Sequence, residues 1–228
     1  MTKNPVEQQF DSLVENYVNI TTKQHAFFDS DTAYLQRYKV ALAKSLFPAP
    51  KLILDYGCGI GLLQKFIPTY FPHALISATD LSTESLLYVK ANYPFVSILN
   101  CDAALAQKFD LIFVSCVMHH VPPSEQQYLV NNLILALNPG GALLFFEHNP
   151  WNPVTQHMVN TCPIDEDAIL LRRSRLHQLI SSCSIDIHCQ SGYSVFFPGF
   201  LSKLRPLENL LRWLPLGGQY YVMATKPK

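Results

Sequence analysis

The 228-residue chain lacks net charge: 17 Lys and Arg balance 17 Asp and Glu. A dedicated DNA or RNA binder draws affinity from neutralising phosphates, so this balance argues against one, and against DNA above all. Charged residues make up only 15% of the chain and apolar ones 49%. That ratio excludes a disordered chain and supplies a substantial core. No apolar run approaches the ~18 residues of a membrane span; the best, such as ALLFF (142–146), are strand-sized. The opening residues, MTKNPVEQQFDSLVENY, have no apolar core and carry acids early. They do not read as a secretory signal, and the expected location is cytoplasmic. No CxxC pair links the six cysteines (58, 101, 116, 162, 183 and 189). Reduced, mostly buried thiols are expected rather than disulfides.

The zero hides an asymmetry. Residues 1–167 carry a balance of −6, whereas residues 168–228 carry +6. The last quarter of the chain is strongly basic.

The length suits one domain, 1–228. Residues 5–20 and 29–47 read as helices. In the second, Tyr34, Leu35, Tyr38, Leu42 and Leu46 recur at helical spacing, with Asp29 or Asp31 available as a cap. Pro48 and Pro50 then break the chain. Five apolar runs follow: LILDY (52–56), ALISATD (74–80), FVSILN (95–100), DLIFVSC (110–116) and ALLFFEH (142–148). Helical patterns lie between them at about 61–71, 82–92 and 123–137. After Pro150, residues 151–160 and 174–183 read as helices, and 185–197 and 219–225 as strands. A helical insertion broken by Pro206 and Pro215 separates those strands. Strands apolar on both faces, alternating with helices, predict a doubly wound α/β fold. The sheet is expected to be mostly parallel and seven-stranded, with an antiparallel edge strand and helices on both faces.

The most informative stretch is Asp55-Tyr56-Gly57-Cys58-Gly59-Ile60-Gly61, between the first strand and the first crossover helix. An α/β sheet binds nucleotide-like ligands there, and glycines let the backbone approach a ligand closely. The dinucleotide fingerprint needs GxGxxG, but Leu62 stands where its third glycine would be, and the phosphate-loop motif is absent. Asp55, two residues before the first glycine, would repel a pyrophosphate and suits a cationic ligand. An NAD site is disfavoured.

From about residue 10 to its end, the chain resembles the class I S-adenosylmethionine-dependent methyltransferases of the Rossmann-like superfamily. The resemblance rests on the GxGxG turn, ATDLS (78–82), NCDAA (100–104), FDLIFVSCVMHHV (109–121) and LNPGGALLFFEH (137–148). It implies a cofactor site of Asp55, Tyr56, Gly57, Gly59 and Gly61. Asp80 would take the ribose hydroxyls, Leu81 would lie against the adenine, and Asp102 with Ala103 beside it would meet the adenine amino group. Ser115 would contact the methionine part, and Tyr17 would reach in from a lid. The implied cofactor is S-adenosylmethionine, with S-adenosylhomocysteine as product. The implied layout is an N-terminal helical lid (1–48), a cofactor-binding core (49–150) and acceptor-side helices with the last strands (151–228).

On the acceptor side, His119 and His120 follow the fourth strand and Glu147 and His148 end the fifth. All four are candidate catalytic groups, able to take a proton from an oxygen or nitrogen. The family pattern makes His120 a packing residue and leaves His119 open, while Glu147 could instead cap the helix after Pro150. No pair among His119, His120, His148 and Cys116 has a familiar zinc spacing, so no metal is expected. Asn149-Pro150 follows the fifth strand, not the fourth where the family's nitrogen-directed motifs stand, and is not read as one. Residues 196–215 mix Lys203, Arg205 and Arg212 with Phe, Leu and Trp side chains. They read as a solvated basic face, as a lid over an anionic or apolar acceptor, or as a peripheral membrane contact. The expected function is methyl transfer to a small-molecule or lipid-like acceptor, anionic ones included, at oxygen. The alternatives are an RNA or protein methyltransferase, or a non-catalytic protein that binds the same cofactor.

Overall fold

A computed structural model describes residues 8–12, 14, 16–17, 19–20, 33–183 and 185–228. Its first named helix is α1 (Tyr34–Leu46), so the caps expected of Asp29 and Asp31 lie outside the described residues. Then come β1 (Leu52–Tyr56), α2 (Ile67–Tyr70), β2 (Leu75–Thr79), α3 (Thr83–Asn92), β3 (Val96–Ile98), α4 (Cys101–Leu105) and β4 (Phe109–Ser115). The chain continues through α5 (Gln126–Leu135), β5 (Leu137–His148), α6 (Pro153–Asn160), α7 (Arg173–Ser181), β6 (His188–Ser194), α8 (Glu208–Leu211) and β7 (Gln219–Thr225).

The seven strands form one sheet in the order β3-β2-β1-β4-β5-β7-β6. Strands β1 to β5 pair in parallel. β7 runs antiparallel between β5 and the outermost strand, β6. Because successive strand side chains point to opposite faces, a doubly covered sheet needs apolar residues at every position. β4 follows this rule. Leu111 and Phe113 join one core with Val40, Leu144 and Met223. Ile112 and Val114 join the other with Leu133, Leu176 and Val222. The strand order reverses between β1 and β4, which opens a crevice at their C-terminal ends.

The helix expected over 61–71 is mostly absent. Gly57, Gly59 and Gly61 have φ of +73°, +51° and +78°, and the following residues close three-residue turns, Gly61 to Cys58, Gln64 to Gly61 and Phe66 to Leu63. Only at Ile67, with Pro68 in the first turn of α2, does the chain become helical. The third strand is likewise shortened, because the Asn100 side chain accepts from the Ala103 amide (2.7 Å) and starts α4. The insertion between β6 and β7 is a 3-10 helix (Gly199–Leu207) containing Pro206, followed by α8. All six cysteines are free, and among the described residues no helix is long and apolar enough to cross a membrane.

Candidate active site

A cavity of about 580 Å3 occupies the crevice. One end is built from consecutive strand termini. The amides of Gly57 and Cys58 donate to the Thr79 carbonyl (2.8 and 3.0 Å), tying the glycine turn to the end of β2. Asp80 then receives the Gly59 amide on one oxygen (2.7 Å) and the Ser82 amide on the other (2.9 Å). A Cβ on Gly57 would stand 2.5 Å from the Val117 side chain, so only glycine fits there, on steric grounds as well as for its φ.

Two carboxylates face this end, Asp55 buried and Asp80 partly buried. Asp55 is 1% exposed and accepts from Gln64 Nε2 (2.8 Å). Burial pushes its pKa up to about 7, with the negative charge of Asp80 adding to the effect and Lys39 and Gln64 opposing it. Burial also raises Asp80, against the amides of Ser82, Gly59 and Leu81 that hold its charged form. A cation arriving between them would be welcomed on electrostatic grounds.

The other end is assembled from distant segments. Lys39, on α1 and only 6% exposed, reaches Ser115 Oγ (2.8 Å) and Cys116 Sγ (3.4 Å) at the end of β4. Burial raises the Cys116 thiol, yet Lys39 and His148 outweigh it and hold its pKa down to about 6. Cys116 also has a φ of +58°, a strained conformation of the kind that concentrates at working sites. Glu147, fully buried, spends one oxygen on the amides of Val117 (3.0 Å) and Met118 (2.8 Å) and the other on His119 Nδ1 (2.6 Å). The Nε2 atoms of His119 and His120 each lie 3.4 Å from the same oxygen of Asp165. Burial lowers the His119 pKa, but Glu147 and Asp165 more than offset it and raise it to about 10.

Most of the cofactor residues expected from sequence reach this cavity: Asp55, Tyr56, Gly57, Gly59, Asp80, Leu81, Asp102, Ser115 and Tyr17 line it. Gly61 and Ala103 do not. A Cβ on Gly61 would press on Tyr93 at 2.9 Å, so its glycine serves packing behind the turn, and the Ala103 amide is committed to the Asn100 cap. The two histidines exchange their expected places. His119 is 1% exposed and turned inward to Glu147. His120 lines the cavity and meets the Phe10 ring edge-on at 5.1 Å. Glu147 is off the wall and is not a helix cap, since the Asn152 side chain caps α6 by accepting from the Thr155 amide (3.0 Å). His148 does line the cavity. None of residues 196–215 lines it. Arg205 lies over the Tyr34 ring at 3.6 Å and Arg212 over Tyr221 at 5.8 Å, while Phe200, Leu210 and Trp213 project outward.

Sequence reasoning missed Lys39 and Asp165. Lys39 left a signal: it falls between Leu35 and Leu42 on the buried stripe of α1, where a charge needs a partner. Asp165 left none, being one of three successive acids in a loop.

Residues 53–141 match the family model of a methyltransferase domain. The chain is thus similar to methyltransferase domains over its middle part. It is 32% identical over 105 residues to the trans-aconitate 2-methyltransferase of Methylobacterium radiotolerans, covering 45% of this chain and 40% of that protein. It is 33% identical over 112 residues to the malonyl-[acyl-carrier protein] O-methyltransferase of Halalkalibacterium halodurans, covering 44% and 40%. The matches thus span about two fifths of the length of these curated relatives. The plantazolicin methyltransferase BpumL, solved with a monoazolic desmethylPZN analog and S-adenosylhomocysteine, shares the fold with a TM-score of 0.64. Its sequence is 18% identical, and the match covers 98% of this chain and 91% of that one. A glycine cradle that a Cβ at Gly57 would fill, together with the carboxylates of Asp55 and Asp80, fits a cationic nucleoside such as S-adenosylmethionine.

Proposed function

We propose that the protein transfers a methyl group from S-adenosylmethionine to oxygen on a small-molecule or lipid-like acceptor, with acidic acceptors favoured. The observation that carries this reading is the single cavity with two chemically different ends. The Asp80 end suits a cationic nucleoside, and the end lined by His120, His148 and Asp165 abuts it without an intervening wall. The names of the curated relatives, a trans-aconitate and a malonyl-carrier methyltransferase, agree with a compact acidic acceptor.

The bound donor supplies an electrophilic methyl on sulfur and leaves as a neutral thioether. Asp80 would accept the ribose hydroxyls on the two oxygens that now hold amides, Asp55 would offset positive charge, and Lys39 with Ser115 would hold the carboxylate of the methionine part. Leu81 would cover the adenine, Asp102 would take its amino group, and Tyr17, beside Gly59, would close the site. Holding acceptor and donor in line can supply roughly 7–11 kcal/mol of barrier reduction, whereas a general base adds roughly 10²–10⁴-fold. Positioning is therefore the main duty of the acceptor end. His120 and His148, which face the cavity, are the groups that can take a proton there. His119 and Glu147 act behind them, by fixing the 117–120 turn.

Calorimetry with S-adenosylmethionine and S-adenosylhomocysteine tests the shared step. Binding by the wild type and its loss in Asp80→Ala support the reading, and binding to neither sinks it. Binding without turnover across small carboxylic acids, acyl carriers and isoprenoid alcohols would favour a non-catalytic binder. We assign the exposed apolar side chains of 196–215, with Lys203, to contact with an anionic membrane surface, where an exposed Lys contributes about 1 kcal/mol, while Arg205 and Arg212 stay stacked on Tyr34 and Tyr221. Sedimentation with phosphatidylserine vesicles at low salt and release at high salt is the expected result. No sedimentation at low salt removes this contact.

A further inference from the structure

Behind the acceptor wall, three nitrogen and oxygen atoms converge on one point. His119 Nε2, His120 Nε2 and Asp165 Oδ1 all lie within 4.8 Å of one another, and both histidine nitrogens stand 3.4 Å from the carboxylate oxygen. His119 Nε2 is buried and has no hydrogen-bond partner, although Asp165 is close: the oxygen lies outside hydrogen-bond geometry. A buried polar atom left in this state needs an explanation.

The geometry points to a divalent transition-metal site, and we propose that His119, His120 and Asp165 hold one such ion. Bonds of about 2.1 Å at tetrahedral angles place neighbouring ligand atoms about 3.4 Å apart, the separation on the two edges to Asp165, and the histidine pair lies within 4.8 Å and would close on the ion by a small ring rotation. The surroundings fit as well. Metal-bound histidine commonly donates its other ring nitrogen to a carboxylate, which fixes ring and tautomer. His119 Nδ1 lies 2.6 Å from Glu147, itself pinned by two backbone amides. Two imidazoles and one carboxylate suit zinc, iron(II), cobalt(II) or manganese(II) rather than magnesium or calcium, which want oxygen. His120 and Asp165 also line the cavity, so an acceptor oxygen in the cavity could reach an ion held by them.

Spacing along the chain gave no hint of such a site. His119 and His120 are adjacent, and the third ligand lies 45 residues later in a loop. That loop is brought back by the Ile169 amide donating to the His119 carbonyl (2.8 Å). The ion's service to the acceptor rests on the methyltransferase reading; its binding does not.

The test is cobalt(II) titration of chelator-stripped full-length protein, followed by visible absorption and by metal analysis. Expected are one cobalt per chain, a ligand-field band, and two paramagnetically shifted imidazole N–H resonances. His120→Gln and Asp165→Asn should each weaken uptake at least about a hundredfold, while S-adenosylhomocysteine binding reports that the variants are folded. No stoichiometric uptake by wild-type protein that binds S-adenosylhomocysteine overturns the site. So do undiminished uptake by folded variants and fewer than two shifted imidazole resonances, the last independently of whether any variant folds. Cobalt uptake without S-adenosylhomocysteine binding would leave the ion site standing and remove the methyltransferase reading instead.

Discussion

The two ends of the cavity are built by different rules. The Asp80 end comes from strand termini that lie side by side, and each contributes one short motif in chain order. Its geometry is fixed by backbone: amides of Gly59 and Ser82 on Asp80, amides of Gly57 and Cys58 on Thr79. The His120 end draws Lys39, Cys116 with His120, His148 and Asp165 from four separate segments. Side-chain contacts between buried charges hold it. A site made of backbone can be read from a motif, whereas a site made of side-chain encounters depends on packing across the whole fold. Substitutions should therefore separate ligand affinity from stability at the first end and couple the two at the second.

The largest expected effect is at the second end. Glu147→Ala leaves the His119 ring without its partner and orphans the amides of Val117 and Met118 in a dry interior. Breaking one partner out of a buried pair costs about 3–5 kcal/mol. Thermal unfolding should show a drop in Tm of several degrees or more, with Glu147→Gln recovering part of it. A Glu147→Ala protein of wild-type stability would break the comparison. Asp80→Ala comes next and is expected to do the opposite, weakening S-adenosylhomocysteine by about a hundredfold, the worth of one or two hydrogen bonds to a charged acceptor. Its Tm should fall by less than that of Glu147→Ala, since Asp80 is only partly buried and water can reach the freed amides of Gly59 and Ser82. Calorimetry paired with a melting curve reads both quantities.

This contrast explains what the sequence made legible. The strand runs were apolar on both faces and kept their order, so the doubly wound sheet could be anticipated together with its late antiparallel strand. Gly57 and Gly59 sit where a positive φ dictates residue type, and Asp80 where two backbone amides call for an acceptor. Their neighbours Gly61 and Ala103 carry the same motif yet face away from the cavity, because motif membership does not say which side of a turn a residue presents. The histidine pair illustrates the harder case. Adjacent residues on a 3-10 turn must point in different directions, and only the location of Glu147 and Asp165 decides which ring turns inward. Lys39 was hidden for a related reason. Its partners, Ser115 and Cys116, are 76 and 77 residues away.

Lys39 offers a smaller and sharper test, because it belongs to the second end by position but is assigned to the cofactor's carboxylate. Lys39→Met keeps most of the apolar stem and removes the charge. Cofactor affinity should fall about tenfold, in line with the net value of a charged hydrogen bond. The Tm should stay within a few degrees, because the lost contact with Ser115 is partly balanced by removal of a buried ammonium. A large loss of stability with unchanged affinity would reassign Lys39 to the structural network around Cys116.

A graded effect, spread over several pH units, turns on Asp55. Its carboxyl ionises near 3.8 when unfolded and near 7 when folded, so between those values the folded state holds the extra proton. Stability from this group is therefore complete below about pH 4 and declines as pH rises toward 7, by up to about 4 kcal/mol for a shift of this size. Cofactor binding has the opposite sign. A cationic ligand favours the ionised carboxylate, so affinity should rise between pH 6 and 7, by at most about tenfold per pH unit. The ligand's own amino group also titrates near pH 8, and comparison with Asp55→Asn subtracts that contribution. The expected result is opposed slopes in the wild type, with the free protein melting lower and the cofactor binding tighter as pH rises, and both slopes flattened in Asp55→Asn. Identical slopes in the two proteins would mean that Asp55 is not the carboxylate the cofactor meets.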